Sequence, residues 1–170
     1  MLRQTDDAIA RQDYAQARTL LDRVSPAGRA DKRHALELAD LERAQGHYGA
    51  ARDALAPVVA RTPDDADTQL ALARIDEDSG NRAAALARVQ AVLARTPDDD
   101  VDTQLSAVRR LNALRRPDEA AQVTDRLHAA YPARPDVTVG GPGAWPRHRA
   151  AMAMRRRCTG CRSRRNARQA

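Results

Sequence analysis

A chain of 170 residues has room for one domain, or one domain with a tail. Hydrophobic residues make up 42% of it but aromatic residues only 2%, with no Phe, so alanine, leucine and valine must fill the interior; this favours close-packed helices over a sheet sandwich. The net charge of +6 is local, because residues 135–170 carry nine arginines against Asp136 and leave 20 basic and 22 acidic side chains in residues 1–134, a body without a nucleic-acid or anionic-membrane field.

Along the chain, residues 1–10 lack the charged-then-apolar pattern of a secretory signal, and no run of 18 apolar residues follows that could span a membrane. A repeat then emerges. Arg61-Thr62-Pro63-Asp64-Asp65 recurs 34 residues later as Arg95-Thr96-Pro97-Asp98-Asp99, and Asp-Thr-Gln-Leu follows each copy, the second time after one inserted residue. Tyr14 and Tyr48, and Gly46 and Gly80, share the step of 34. Ala17, Ala51, Ala85 and Ala120 step by 34, 34 and 35, as do Val24, Val58, Val92 and Leu127. The units run over residues 32–65, 66–99 and 101–134, with a partial first unit over 1–31. Counting back by 34 places the start of that first unit before Met1, so the chain reads as part of a longer solenoid.

Each period predicts two amphipathic helices. In the unit over 66–99 the first covers 67–78, with Leu72, Ala73 and Ile75 on its apolar side. Gly80-Asn81 stops it, because glycine accepts the left-handed conformation at a helix C-terminus. The second covers 83–95, with Leu86, Val89, Val92 and Leu93 on one face, and Thr96-Pro97-Asp98-Asp99 ends it. Ala51, Ala85 and Ala120 fall where paired helices would cross, so a larger side chain there would push the backbones apart.

This pattern resembles the tetratricopeptide repeat (TPR) over residues 1–134, with its 34-residue period and its Gly, Tyr, Ala and Pro columns. Gln12 and Arg115 replace the turn glycine, Arg82 and Pro117 replace the turn tyrosine, and Ala35, Gln69 and Gln104 stand where an early aromatic is usual. The resemblance implies an all-α protein, a right-handed α-solenoid of antiparallel helix pairs, followed here by an irregular tail. It also implies a concave protein-binding face lined by the first helix of each unit: Arg33, Asp40 and Arg43, then Asp67, Arg74 and Glu77, then Asp102, Arg109 and Asn112. The central positions Asp40, Arg74 and Arg109 change sign along that face. The carboxylate clamp of some TPR proteins uses lysine and asparagine there. It is not reproduced, since Lys32 is the only lysine of the chain and Asn112 the only asparagine on the face.

No catalytic constellation, metal site or cofactor motif is found, and an enzyme is not expected. His34, His47, His128 and His148 are scattered, and His47 beside Gly46 reads as a solvent-exposed turn residue. Asp64-Asp65 and Asp98-Asp99 sit at helix starts, where capping and the helix dipole explain them. Gly140-Gly141-Pro142-Gly143 lacks the Lys and Ser/Thr of a phosphate loop. For the tail over 135–170 three readings compete: a disordered basic arm for RNA or anionic lipid, half of a zinc site from Cys158 and Cys161 with His148 alone nearby, or GC-rich DNA translated out of frame.

The Ala/Arg-rich units and their Arg-Thr-Pro-Asp-Asp linkers are similar to the TPR region of the bacterial cellulose synthase operon protein C family. That resemblance implies a periplasmic scaffold of a Gram-negative bacterium, holding secretion or synthase components without catalysis. The alternatives are a cytoplasmic TPR adaptor for peptides, or a nucleic-acid or anionic-surface binder acting through the arginine tail. Tyr14, Tyr48 and Tyr131 lie outside the face columns, so protein contact is expected rather than direct glucan binding. Self-association through apolar solenoid ends is a further expectation.

Overall fold

In a computed structural model of the chain, the structure describes residues 2–24 and 31–132. The tail expectations, including those for His148, Cys158 and Cys161, lie outside these residues. The chain divides into two units, Met1–Val123 and Thr124–Ala170.

The described residues are all-α. In chain order they form α1 (Leu2–Ala10), α2 (Tyr14–Asp22), α3 (Lys32–Ala44), α4 (Tyr48–Arg61), α5 (Ala66–Asp78), α6 (Arg82–Arg95), α7 (Val101–Ala113) and α8 (Pro117–Ala130). Within the first unit α1 pairs with α2, α3 with α4 and α5 with α6, and the first helices α1, α3, α5 and α7 also pack on one another in sequence. This is the solenoid arrangement of helix pairs. Helices α5 and α6 each begin one residue earlier than the sequence pattern predicts, at Ala66 and Arg82.

The turn inside each pair is set by one backbone position. Gly46 and Gly80 have φ of +81° and +88°, and Gln12 and Arg115, at the same column, both have φ of +62°. All four turns close the preceding helix with the same two bonds. The His47 amide reaches the Glu42 carbonyl at 2.8 Å while Gly46 reaches Arg43 at 2.9 Å, and Arg116 reaches Leu111 at 2.8 Å while Arg115 reaches Asn112 at 3.1 Å. Satisfying these end carbonyls holds a non-glycine residue in the left-handed region at a cost of about 1 kcal/mol.

The alanine column does what its size predicts. Ala17, Ala51 and Ala85 are fully buried, and so are Leu55 and Val89 one turn on. One core cluster joins Ala35, Ala39, Ala51, Leu55, Val58, Leu72 and Ile75, drawn from α3, α4 and α5, so adjacent units share an interior.

The first helices α3, α5 and α7 are capped by aspartate. Asp31 and Asp65 cap α3 and α5, the Asp65 carboxylate accepting from the Thr68 amide at 3.0 Å and from its hydroxyl at 2.6 Å. In the next linker the inserted residue moves this role. Asp100 caps α7, accepting from the Thr103 amide at 3.2 Å, while Asp98 and Asp99 remain in the turn before it. Each cap contributes about 1 kcal/mol.

Candidate protein-binding face

Helices α3, α5 and α7 carry the nine residues that the repeat columns single out, and the structure joins some of them and leaves others apart. Asp40 is the hub. Its Oδ1 accepts from Arg43 Nε at 2.9 Å on the same helix and from Arg74 Nη1 at 2.9 Å on the next first helix. Arg43, with a side chain only 12% exposed, reaches onward to Asp78 Oδ2 at 2.5 Å. Glu77 accepts from Arg110 at 3.3 Å. These contacts run from one unit to the next, 34, 35 and 33 residues apart in sequence, so the ion pairs form rungs between successive units.

The N-terminal end of the face has its own rung. Lys32 donates to Asp65 at 2.6 Å and to Asp67 at 2.8 Å, tying the start of α3 to the cap and first turn of α5. Burial works against the charge of Lys32, but the two carboxylates outweigh it and raise the ammonium pKa. Burial likewise works against ionisation of Asp65, and the bonds from Lys32 and Thr68 overcome it and lower that carboxyl's pKa.

The arginines differ. For Arg43 burial is again the largest influence, and Asp78 and Asp40 more than compensate, raising its pKa. For Arg74 burial dominates; Asp40 supports the charge, Arg43 and Arg110 oppose it, and the net displacement is downward. Arg74 therefore sits between like charges with its side chain 44% exposed, donating to Asp40 alone among the described residues. Four of the five N–H donors of that guanidinium remain for a partner.

Arg33, Asp102 and Arg109 are exposed. Asn112 is half-buried, and its Oδ1 has no hydrogen-bond partner among the described residues. The column reading missed Lys32, Asp65, Asp78 and Arg110 as members of the face. Their signal was the one-repeat step itself, which places Lys32 opposite Asp65 and Asp67, and Arg110 opposite Glu77.

Away from this face, a second set of pairs locks units together. Asp76, with a side chain 6% exposed, accepts from Arg52 Nη2 at 2.8 Å and from Arg88 Nε at 2.8 Å. Glu42, 34 residues earlier and 9% exposed, accepts from Arg18 at 2.6 Å and lies 3.0 Å from His47 Nδ1. Arg18 and Arg52 are also 34 apart, so the carboxylate–arginine pair is itself a repeated element. His47 keeps 60% of its side chain exposed, but Glu42 gives it a partner that its turn position did not suggest.

Among the described residues no group of three or more His, Cys, Asp or Glu side chains is placed to hold a metal ion, and no helix is long and apolar enough to cross a membrane. The arrangement holds charged side chains between successive first helices. Residues 42–111 match the family model described as tetratricopeptide repeat, a span from the end of α3 to the last turn of α7. That match, with the helix pairs and the turn columns, supports a TPR protein. No curated protein and no solved structure matches the chain.

Proposed function

We propose that the chain is a non-enzymatic TPR scaffold whose α3–α5–α7 face, from Arg33 to Asn112, takes a protein partner. The observation that carries this reading is the ladder of ion pairs joining successive first helices, with the accessible Arg74 at its centre. Side chains held by neighbouring units lose little freedom when a partner binds, so recognition costs less than on a surface of loose charges. Short synthetic peptides of acidic, basic and apolar composition, arrayed and probed with the full chain, test it. Binding to one composition class that weakens in Arg74→Glu supports the reading; uniform background binding, unchanged in that variant, overturns it.

A finer assignment is a scaffold segment of a periplasmic polysaccharide-export subunit, in contact with secretion or synthase components and with copies of itself through the solenoid ends. Its support is the likeness of the Arg-Thr-Pro-Asp-Asp linkers to those of the cellulose synthase operon protein C family. Deleting the gene should lower glucan export while leaving glucan synthesis in isolated membranes intact; unchanged export removes this assignment and leaves the general scaffold.

A further inference from the structure

A cleft of about 460 Å³ lies against α6, between the linkers 62–65 and 96–100. None of the nine residues of the α3–α5–α7 face lines it. Pro63 and Pro97 from the two linkers and the exposed Ala87 and Ala91 of α6 give it an apolar lining. Two cations also line it. Arg95 pairs with Asp64, and Arg88 donates from Nε to Asp76 at 2.8 Å and from Nη1 to Gln69 at 2.8 Å. Gln69 is anchored in turn, donating to the Pro63 carbonyl at 2.6 Å. The Arg88 guanidinium is thus held by its edge, in plane, at the end of a chain of hydrogen bonds.

The solenoid does not require an arginine at this column. Ala54 stands 34 residues before Arg88 and Val123 stands 35 after, while Asp53 and Pro57 of α4 stand where α6 has Ala87 and Ala91. One unit has departed from the repeat, carrying a charged residue where its neighbours have a small or apolar one.

We propose that this cleft receives an aromatic side chain from an extended segment of a protein partner, with the ring stacked on the Arg88 guanidinium. The lining carries Arg88, Arg95, Asp64 and Asp100, whose formal charges cancel, so an ionic anchor gains little there. A neutral ring gains twice: its face meets a flat cation, and its body covers the proline and alanine surface. From Ala87 to Arg95 the helix runs about 12 Å, the reach of about four extended residues. None of the described tyrosines, Tyr14, Tyr48 and Tyr131, lines the cleft.

The test uses fluorescein-labelled Gly/Ser peptides with a central Trp or a central Ala, titrated against the full chain by anisotropy. The Trp peptide should bind about tenfold tighter or better. Arg88→Lys keeps a cation beside Asp76 but loses the flat face, and should weaken the Trp peptide by about three- to tenfold. Ala91→Trp fills the cleft from an exposed helix position and should abolish binding with the helical circular dichroism retained, whereas Arg74→Glu should leave it unchanged. Equal binding of the two peptides, or indifference to Arg88→Lys and Ala91→Trp, overturns the proposal. So does free N-acetyltryptophanamide binding as tightly as the peptide, which would assign the cleft to a small aromatic ligand.

Discussion

Removing the Asp76 carboxylate should break the contact between the second helix of one unit and the first helix of the next. In Asp76→Ala, Arg52 and Arg88 lose their shared acceptor, bonded at 2.8 Å to each. A hydrogen bond to a charged group contributes roughly 1.5–3 kcal/mol, and stripping one partner from a fully buried ion pair costs about 3–5 kcal/mol. The arginine side chains here are 41% and 36% exposed, so water takes up part of the loss, and we expect a net cost of about 2 kcal/mol. Urea unfolding followed by far-ultraviolet circular dichroism measures it, with Asp67→Ala as the control. Asp67 is 64% exposed and paired with Lys32, so its loss should cost less than about 0.5 kcal/mol. A double-mutant cycle of Asp76→Ala with Arg52→Ala should return a coupling of about 1 kcal/mol. If Asp76→Ala matches the control, or the cycle returns nothing, the carboxylate–arginine pair is not what couples the units.

Other consequences are equally open to measurement. Arg115→Gly, which relieves a φ of +62°, should raise stability by about 0.5–1 kcal/mol in urea unfolding, and Gly80→Ala, at φ +88° with open space around the added carbon, should lower it by about 1 kcal/mol. Ala85→Leu, at a fully buried helix crossing, should cost about 1–3 kcal/mol in the same assay. Glu37 is buried with its Oε2 unpartnered among the described residues; burial and the nearby Asp6 raise its pKa against the opposing Thr5 hydrogen bond and Arg33 charge. An acid with a raised folded pKa resists ionisation. Its contribution to stability is therefore intact below the unfolded value of about 4.3 and falls as pH rises from there through the folded value. Glu37→Gln should thus stabilise the protein at pH 7 and lose that advantage near pH 4, as read by urea midpoints at both.

The fold was readable where one residue type answers one backbone or packing demand. Gly46 and Gly80 announced left-handed turns, and Ala51, Ala85 and Ala120 announced buried, close-packed positions. Gln12 and Arg115, which stand in the turn-glycine column, keep the same left-handed turn, because the conformation is imposed by end-carbonyl bonds rather than by the residue itself. The cap of α7 was misplaced by one residue since Asp98, Asp99 and Asp100 are chemically alike, and only the position of Val101 as the first helical residue selects Asp100. The ladder of ion pairs was half readable. The repeat columns named Asp40, Arg43, Arg74 and Glu77, but column rules place side chains on a helix and say nothing of their reach to the next one. For that reason the Asp78 and Arg110 rungs, the Arg52–Asp76–Arg88 lock and the Arg88 cleft emerged only with the packing of units.

The most direct test of the central claim is amide hydrogen exchange on the full chain with and without a peptide chosen for Arg74-dependent binding. Added protection should concentrate in the first helices α3, α5 and α7 around Asp40, Arg74 and Arg109. Protection confined to the second helices α4 and α6, or spread evenly over the chain, would contradict it and move the binding surface elsewhere.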